Sequence, residues 1–150
     1  MTIRRSMLAA SLAASLAFAA TAMAASAPAP TEASRLASQY SDWAGSRSNA
    51  DSLIAGLRNG APITIVTNSP DRSVSIAGFT PASSMSYGAV SSALAGAQHS
   101  LARLGIRQPN AEQIQAALIG GEIATASGGT TVMKGSVVAR GPAPAKVASR

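Results

Sequence analysis

MSYGAVSSALAGAQHSLARLGIRQPNAEQIQAALIGG, residues 85–121, is the stretch whose reading decides the fold. Val90, Leu94, Ala97, Leu101 and Leu104 follow one another by four and three. At ~100° per residue they share one stripe, so a helix is predicted over Tyr87–Leu104 with Tyr87 and Ala93 at the edges of that stripe. Gly105 stands where a left-handed residue is needed, and Ile106 can fold back on Leu101 to complete a Schellman ending. Arg103 complements the helix dipole in the last turn. Pro109 breaks the chain, Asn110 is an N-cap, and Gln113 is placed to close a capping box. Ile114, Ala117 and Leu118 then give a short second helix its apolar face, and Gly120-Gly121 ends it.

Working outward, a second capped helix is predicted from about Ala50 to Arg58. Ser48 or Asn49 is its cap, Asp51 favours its first turn, and Leu53, Ile54 and Leu57 form its buried face. Gly60 and Pro62 stop it. Ile63–Thr67 and Ser73–Ile76 alternate as strands around an Asn68-Ser69-Pro70-Asp71 turn, which predicts a β-hairpin with Ile63, Ile65, Val74 and Ile76 on its inner face. A weaker hairpin follows Gly121, from Glu122 through Ser127-Gly128-Gly129 to about Val138. A shift of 61 positions superposes the two halves: Asn49 falls on Asn110, Leu53 on Ile114, Leu57 on Leu118 and Gly60 on Gly121. The chain therefore reads as α+β, with two αββ-like units joined by the central amphipathic helix. Their hairpins are expected to form an antiparallel sheet covered on one face by helices.

The ends of the chain carry different signals. Arg4 and Arg5 precede an apolar run, Leu8–Ala20, too short to span a bilayer comfortably at ~20 residues. Ala22-Met23-Ala24 supplies small residues before a cleavage point. Residues 1–24 thus read as a secretory signal peptide, with cleavage between Ala24 and Ala25 and export to the periplasm or beyond. Residues 25–47 read as a Pro/Ala-rich linker with a short helix over Glu32–Tyr40. A single domain spans 48–138, and residues 139–150 form a basic tail expected to be disordered. The chain contains no cysteine, so disulfides and thiolate chemistry are excluded and packing must supply stability.

The sequence pI is about 11.2, yet between Ala25 and Met133 six arginines meet six acids. The mature excess is Lys134, Arg140, Lys146 and Arg150. A neutral body with a basic tail is not a nucleic-acid face, and no aromatics alternate with the tail to stack bases. Weak tail contact with anionic surfaces is the most that this charge supports.

Catalytic chemistry is hard to place in this chain. His99, the one histidine, lies about 180° from the apolar stripe and should face solvent. Alone it makes no zinc site and no catalytic triad. The acids occupy helix first turns or loops, where dipole complementarity accounts for them. Gly128-Gly129 precedes no helix and is a hairpin turn rather than a phosphate loop. No cofactor-binding motif is present. Tyr40, Trp43 and Tyr87 are the candidate ligand or partner surface; against this, Trp43 is well suited to plug a core poor in large side chains.

The pieces Trp43-Ala44-Gly45-Ser46, Asn49-Ala50, Leu57-Arg58-Asn59-Gly60, Met85, Tyr87-Gly88, Gly105-Ile106, Pro109, Gln113–Leu118 and Gly120-Gly121 resemble small exported proteobacterial proteins of unknown function. The resemblance covers most of the mature body and implies location and fold, not activity. Val137–Gly141 matches the start of the terminal segment of such proteins, and Pro142–Arg150 departs from it.

The expected function is a non-catalytic binding or structural module of the cell envelope, whose partner is an envelope component or another protein. The alternatives are a secreted interaction factor or inhibitor, acting through a sheet edge or the aromatics, and a hydrolase without a recognisable motif. The export reading predicts an intact mass that begins at Ala25, recovered from the periplasmic fraction. An uncleaved chain in the membrane fraction would instead make Leu8–Ala20 an anchor.

Overall fold

The computed structural model describes residues 31–69, 72–125 and 128–140. The signal peptide with its Ala24/Ala25 cleavage point, the linker up to Pro30 and the tail from Gly141 lie outside the described residues. The elements in order are α1 (Glu32–Tyr40), α2 (Arg47–Asn59), β1 (Ile63–Asn68), β2 (Val74–Phe79), α3 (Tyr87–Arg103), α4 (Ala111–Ile119), β3 (Gly121–Ala124) and β4 (Thr130–Met133). The class is α+β, with two helix-plus-hairpin units bridged by α3. Each hairpin closes its own antiparallel two-stranded sheet rather than a shared one. An isolated antiparallel bridge, Pro81 to Ala139, ties their far ends.

Local capping fixes the helices. In α3 the Ser86 hydroxyl accepts from the Ala89 N–H. At its other end Ile106 N–H donates to Leu101 C=O and Gly105 N–H to Ala102 C=O, with Gly105 at φ 79°. That pair of bonds is the Schellman ending expected from the sequence. Asn110 and Gln113 form the capping box on α4, in which each side chain bonds the other's backbone N–H.

The start of α2 differs from expectation. It begins at Arg47, capped by Ser46, so neither Ser48 nor Asn49 is its cap. Asn49 sits one turn inside, 6% exposed, and its amide is committed elsewhere. Its Nδ2 donates to Ala44 C=O at 2.7 Å and to Val66 C=O at 2.8 Å, while its Oδ1 accepts from Val66 N–H. One side chain thus joins the α1–α2 turn, the first turn of α2 and the middle of β1.

Asn49 and Asn110, matched by the 61-residue shift, therefore play different parts. The matched faces still agree, since Ala50 and Ala111, Leu53 and Ile114, and Leu57 and Leu118 are all fully buried. The helix-ending glycines correspond as Gly60 and Gly120, one position off the sequence match.

The face of β2 is also reversed from expectation. The register sets Ile63 opposite Phe79, Ile65 opposite Ala77 and Thr67 opposite Ser75. Phe79 and Ala77 are buried, while Val74 and Ile76 are 53% and 64% exposed. A strand has period two, so Phe79 and Ile76 cannot share a face. The aromatic side chain takes the core, and small Ala77 lies on the inner face, where α4 packs against β2.

One core serves all the elements. Tyr40, Leu53, Leu57, Ile65, Val90, Leu94, Leu101, Ile114 and Leu118 are fully buried within it. Leu36, Ala37 and Tyr40 carry α1 into this core, so the packed body begins before residue 48. The last strand is shorter than expected. It stops at Met133 because Gly135 crosses the end of α4, where an added Cβ would lie 2.2 Å from the Ile119 carbonyl carbon. Only glycine permits that approach. Val137 N–H then donates to Leu118 C=O, which seats the following residues.

Asn49→Ala leaves Val66 N–H, Val66 C=O and Ala44 C=O without their partner. Denaturant unfolding should show a loss of about 3 kcal/mol, the scale of several orphaned buried groups. A loss below about 0.5 kcal/mol would mean the clamp is idle.

Candidate functional site

The aromatic candidates do not form a surface. Tyr40 is 1% and Trp43 5% exposed, and their rings meet edge to face at 6.1 Å. The Tyr40 hydroxyl lies 3.4 Å from the Ser91 carbonyl oxygen. Trp43 Nε1 is buried with no hydrogen-bond partner among the described residues. Trp43 plugs the core, so the exposed-pair reading of Tyr40 and Trp43 is set aside. Tyr87, partly buried, lies under the Arg58 guanidinium at 4.3 Å, and Arg58 also donates to Met85 C=O at 2.7 Å. That cation–π contact pins the loop ahead of α3 to α2. His99 is exposed on α3, as its position on the helix predicts.

Among the described residues no group of three or more His, Cys, Asp or Glu that could hold a metal ion comes together. No helix there is long and apolar enough to cross a membrane. A cleft of about 330 Å³ lies between α2 and the start of β1, with Ser52, Asn59 and Thr64 on its walls. It holds no charged side chain.

The β1–β2 hairpin offers more. Ser69 N–H donates to Ser73 C=O across the turn. This sets the parity of the ladder: odd-numbered residues of β2 bond inward to β1, and Val74, Ile76 and Gly78 aim their backbone groups outward. On β1 the outward set is Thr64, Val66 and Asn68. Asn49 satisfies Val66, which agrees with this parity and blocks that edge from a further strand. On β2, Gln115 Nε2 of α4 donates to Gly78 C=O at 3.0 Å.

Beyond Phe79 the outward row continues. Arg140 N–H donates to Thr80 C=O, and Ala82 N–H donates to Val138 C=O. The middle of the β2 edge is left open. The outward N–H and C=O of Val74 and Ile76 have no partner among the described residues. Beside them stands an apolar strip. Val66 (44% exposed) lies directly opposite Ile76, and Val74 is two residues along on the same face.

An exposed strand edge with β-branched neighbours is a template for another strand, which proteins ordinarily blunt with charge, proline or cover. Neither charge nor proline occurs between Val74 and Phe79, and the cover that Gln115 gives reaches only Gly78. The sequence signal was present in Val74 and Ile76, but it read as core.

Comparison with protein-family models, with curated proteins and with solved structures returns no match.

Because Ile76 packs against little, Ile76→Thr should change the unfolding free energy by less than about 0.5 kcal/mol. A loss comparable to a core truncation in a denaturant titration would show that its side chain is structural.

Proposed function

We propose that this protein is an exported, non-catalytic binding module that takes up an extended polypeptide segment by strand addition to β2. The observation that carries the reading is the unpaired row of Val74 and Ile76 backbone groups beside the Val66–Ile76–Val74 strip. In strand addition, main-chain hydrogen bonds supply affinity and alternate side chains supply selectivity. That division of labour needs neither a deep pocket nor a charged cleft. The signal-like residues 1–24 and the resemblance to small exported proteins support export. On that reading the partner is an envelope or extracellular polypeptide. The secreted interaction factor among the alternatives uses the same edge; the aromatic route to it is dropped with the burial of Tyr40 and Trp43.

The test is a titration of the isotopically labelled protein with an acetylated, amidated hexapeptide alternating valine and threonine, followed by amide spectra. Shifts confined to Val74, Ile76 and their neighbours are expected. They should be lost in Val74→Pro, which removes one edge N–H, and weakened at least tenfold in Ile76→Lys, which places a charge on the strip. Shifts scattered over the surface, or none at the limit of peptide solubility, would refute strand addition.

A further inference from the structure

We infer, on the reading just given, that the strand received by β2 runs antiparallel to it, in line with Val138–Arg140, and is a segment of another protein with apolar residues at alternate positions. The direction comes from a strand-like piece already in place. Ala82 pairs with Val138 and Thr80 with Arg140, so the paired positions add to a constant. The same rule places the next three residues of that row opposite Gly78, Ile76 and Val74. The Thr80–Ala82 end of the edge is thus filled antiparallel, and the open stretch continues it.

Three occupants compete for that stretch. The first is the chain's own continuation, Gly141-Pro142-Ala143-Pro144. The register would set Pro142 opposite Gly78 and Pro144 opposite Ile76, both at positions whose N–H should point into the ladder. Proline has no N–H to give and its ring crowds the facing carbonyl, so this sequence is a poor strand there. Gly78 C=O already has Gln115 as donor, whereas Ile76 C=O would stay unpaired.

The second is another copy of this chain, β2 on β2. Val74, Ile76 and Gly78 span only about 13 Å of strand. Two such edges fall well short of the ~800 Å² per partner that a stable dimer needs. Edge pairing of two copies would also join two exposed apolar strips instead of covering either.

The third is an extended segment of a different protein, which needs no matching globular surface around it. Residues facing Val74 and Ile76 would stand on the outer face, where Val66, Val74 and Ile76 favour β-branched or other apolar side chains. The residue between them would face Ser75 on the inner side. There Ser75 Oγ is buried without a partner among the described residues, and a small polar side chain is the one the proposal sets beside it. The segment recognised is therefore short, with apolar, small polar and apolar residues in succession. Its N-terminal end lies by Thr80 and Arg140 and its C-terminal end by Arg72.

The experiment uses the full chain and the valine–threonine hexapeptide carrying a nitroxide at one end or the other. The N-terminal label should broaden the amides of Thr80, Ala82 and Arg140. The C-terminal label should broaden those of Ser69, Arg72 and Ser73. The reverse pattern would overturn the antiparallel assignment while leaving strand addition at β2 intact. Absence of any perturbation at Val74 and Ile76 would overturn both. A peptide of residues 141–150 should bind at least tenfold more weakly than the hexapeptide, and the protein should sediment as a monomer at micromolar concentration. Equal binding by the tail peptide, or a dimer abolished by Val74→Pro, would assign the edge to the tail or to a second copy and overturn the proposal.

Discussion

The Asn49 amide is the contact on which the rest of the structure depends. It holds Ala44 C=O at the end of the α1–α2 turn and both backbone groups of Val66 in β1. A primary amide suits this place because it offers a donor and an acceptor in one plane, the pattern a neighbouring strand would present. The helix thereby supplies a substitute strand partner to β1. Fixing β1 against α2 orients the hairpin, and the orientation of the hairpin decides which of its edges α4 reaches. Thr67, next to the clamped residue, extends the chain of dependence, since its hydroxyl accepts from Ala111 N–H at the first turn of α4. The N-termini of α2 and α4 are thus gathered at one end of one strand.

Asymmetry between the two edges follows. The β1 edge is occupied in its middle by a buried side chain. The β2 edge is occupied at one end only, by Gln115 and by residues 138–140. The hairpin is a two-stranded sheet with unpaired outward backbone groups at Val74 and Ile76 among the described residues. The second hairpin differs because β3 and β4 are short and β4 ends where Gly135 crosses α4.

What the sequence disclosed, it disclosed through local chemistry. The Schellman ending of α3 and the capping box of α4 need only residues within one turn, and both were legible at Gly105-Ile106 and Asn110–Gln113. The misreadings arose where two local solutions were equally good. Ser46, Ser48 and Asn49 are all competent caps, and only the distant Val66 backbone decides that Asn49 does something else. Val74 and Ile76 alternate as well as Ala77 and Phe79 do, and only the register with Ile63 and Ile65 selects the second pair. Trp43 was readable either way until Tyr40 and α3 were placed around it. The open edge of β2 was the least legible feature. Whether a strand is covered depends on Gln115, 37 positions from its acceptor Gly78, and on a segment still further away that no local pattern links to β2.

The seating of Val137–Arg140 bears on the order of assembly. These residues complete the hydrogen bonding of Leu118, Thr80 and Ala82, and they are synthesised after all the helices and strands described above. A polypeptide emerging amino-end first from a ribosome can lay α1, α2 and the first hairpin together by sequence-near contacts. It cannot complete the hydrogen bonding of Thr80 and Ala82, at the start of the loop between β2 and α3, until residue 140 has followed. Loop-closure entropy makes that docking a late event. Until then the Thr80–Ala82 end of the β2 edge is open as well. A chain that has not yet reached residue 138 consequently carries more open strand edge than one that has, and residues 138–140 shield the end of the strand they join.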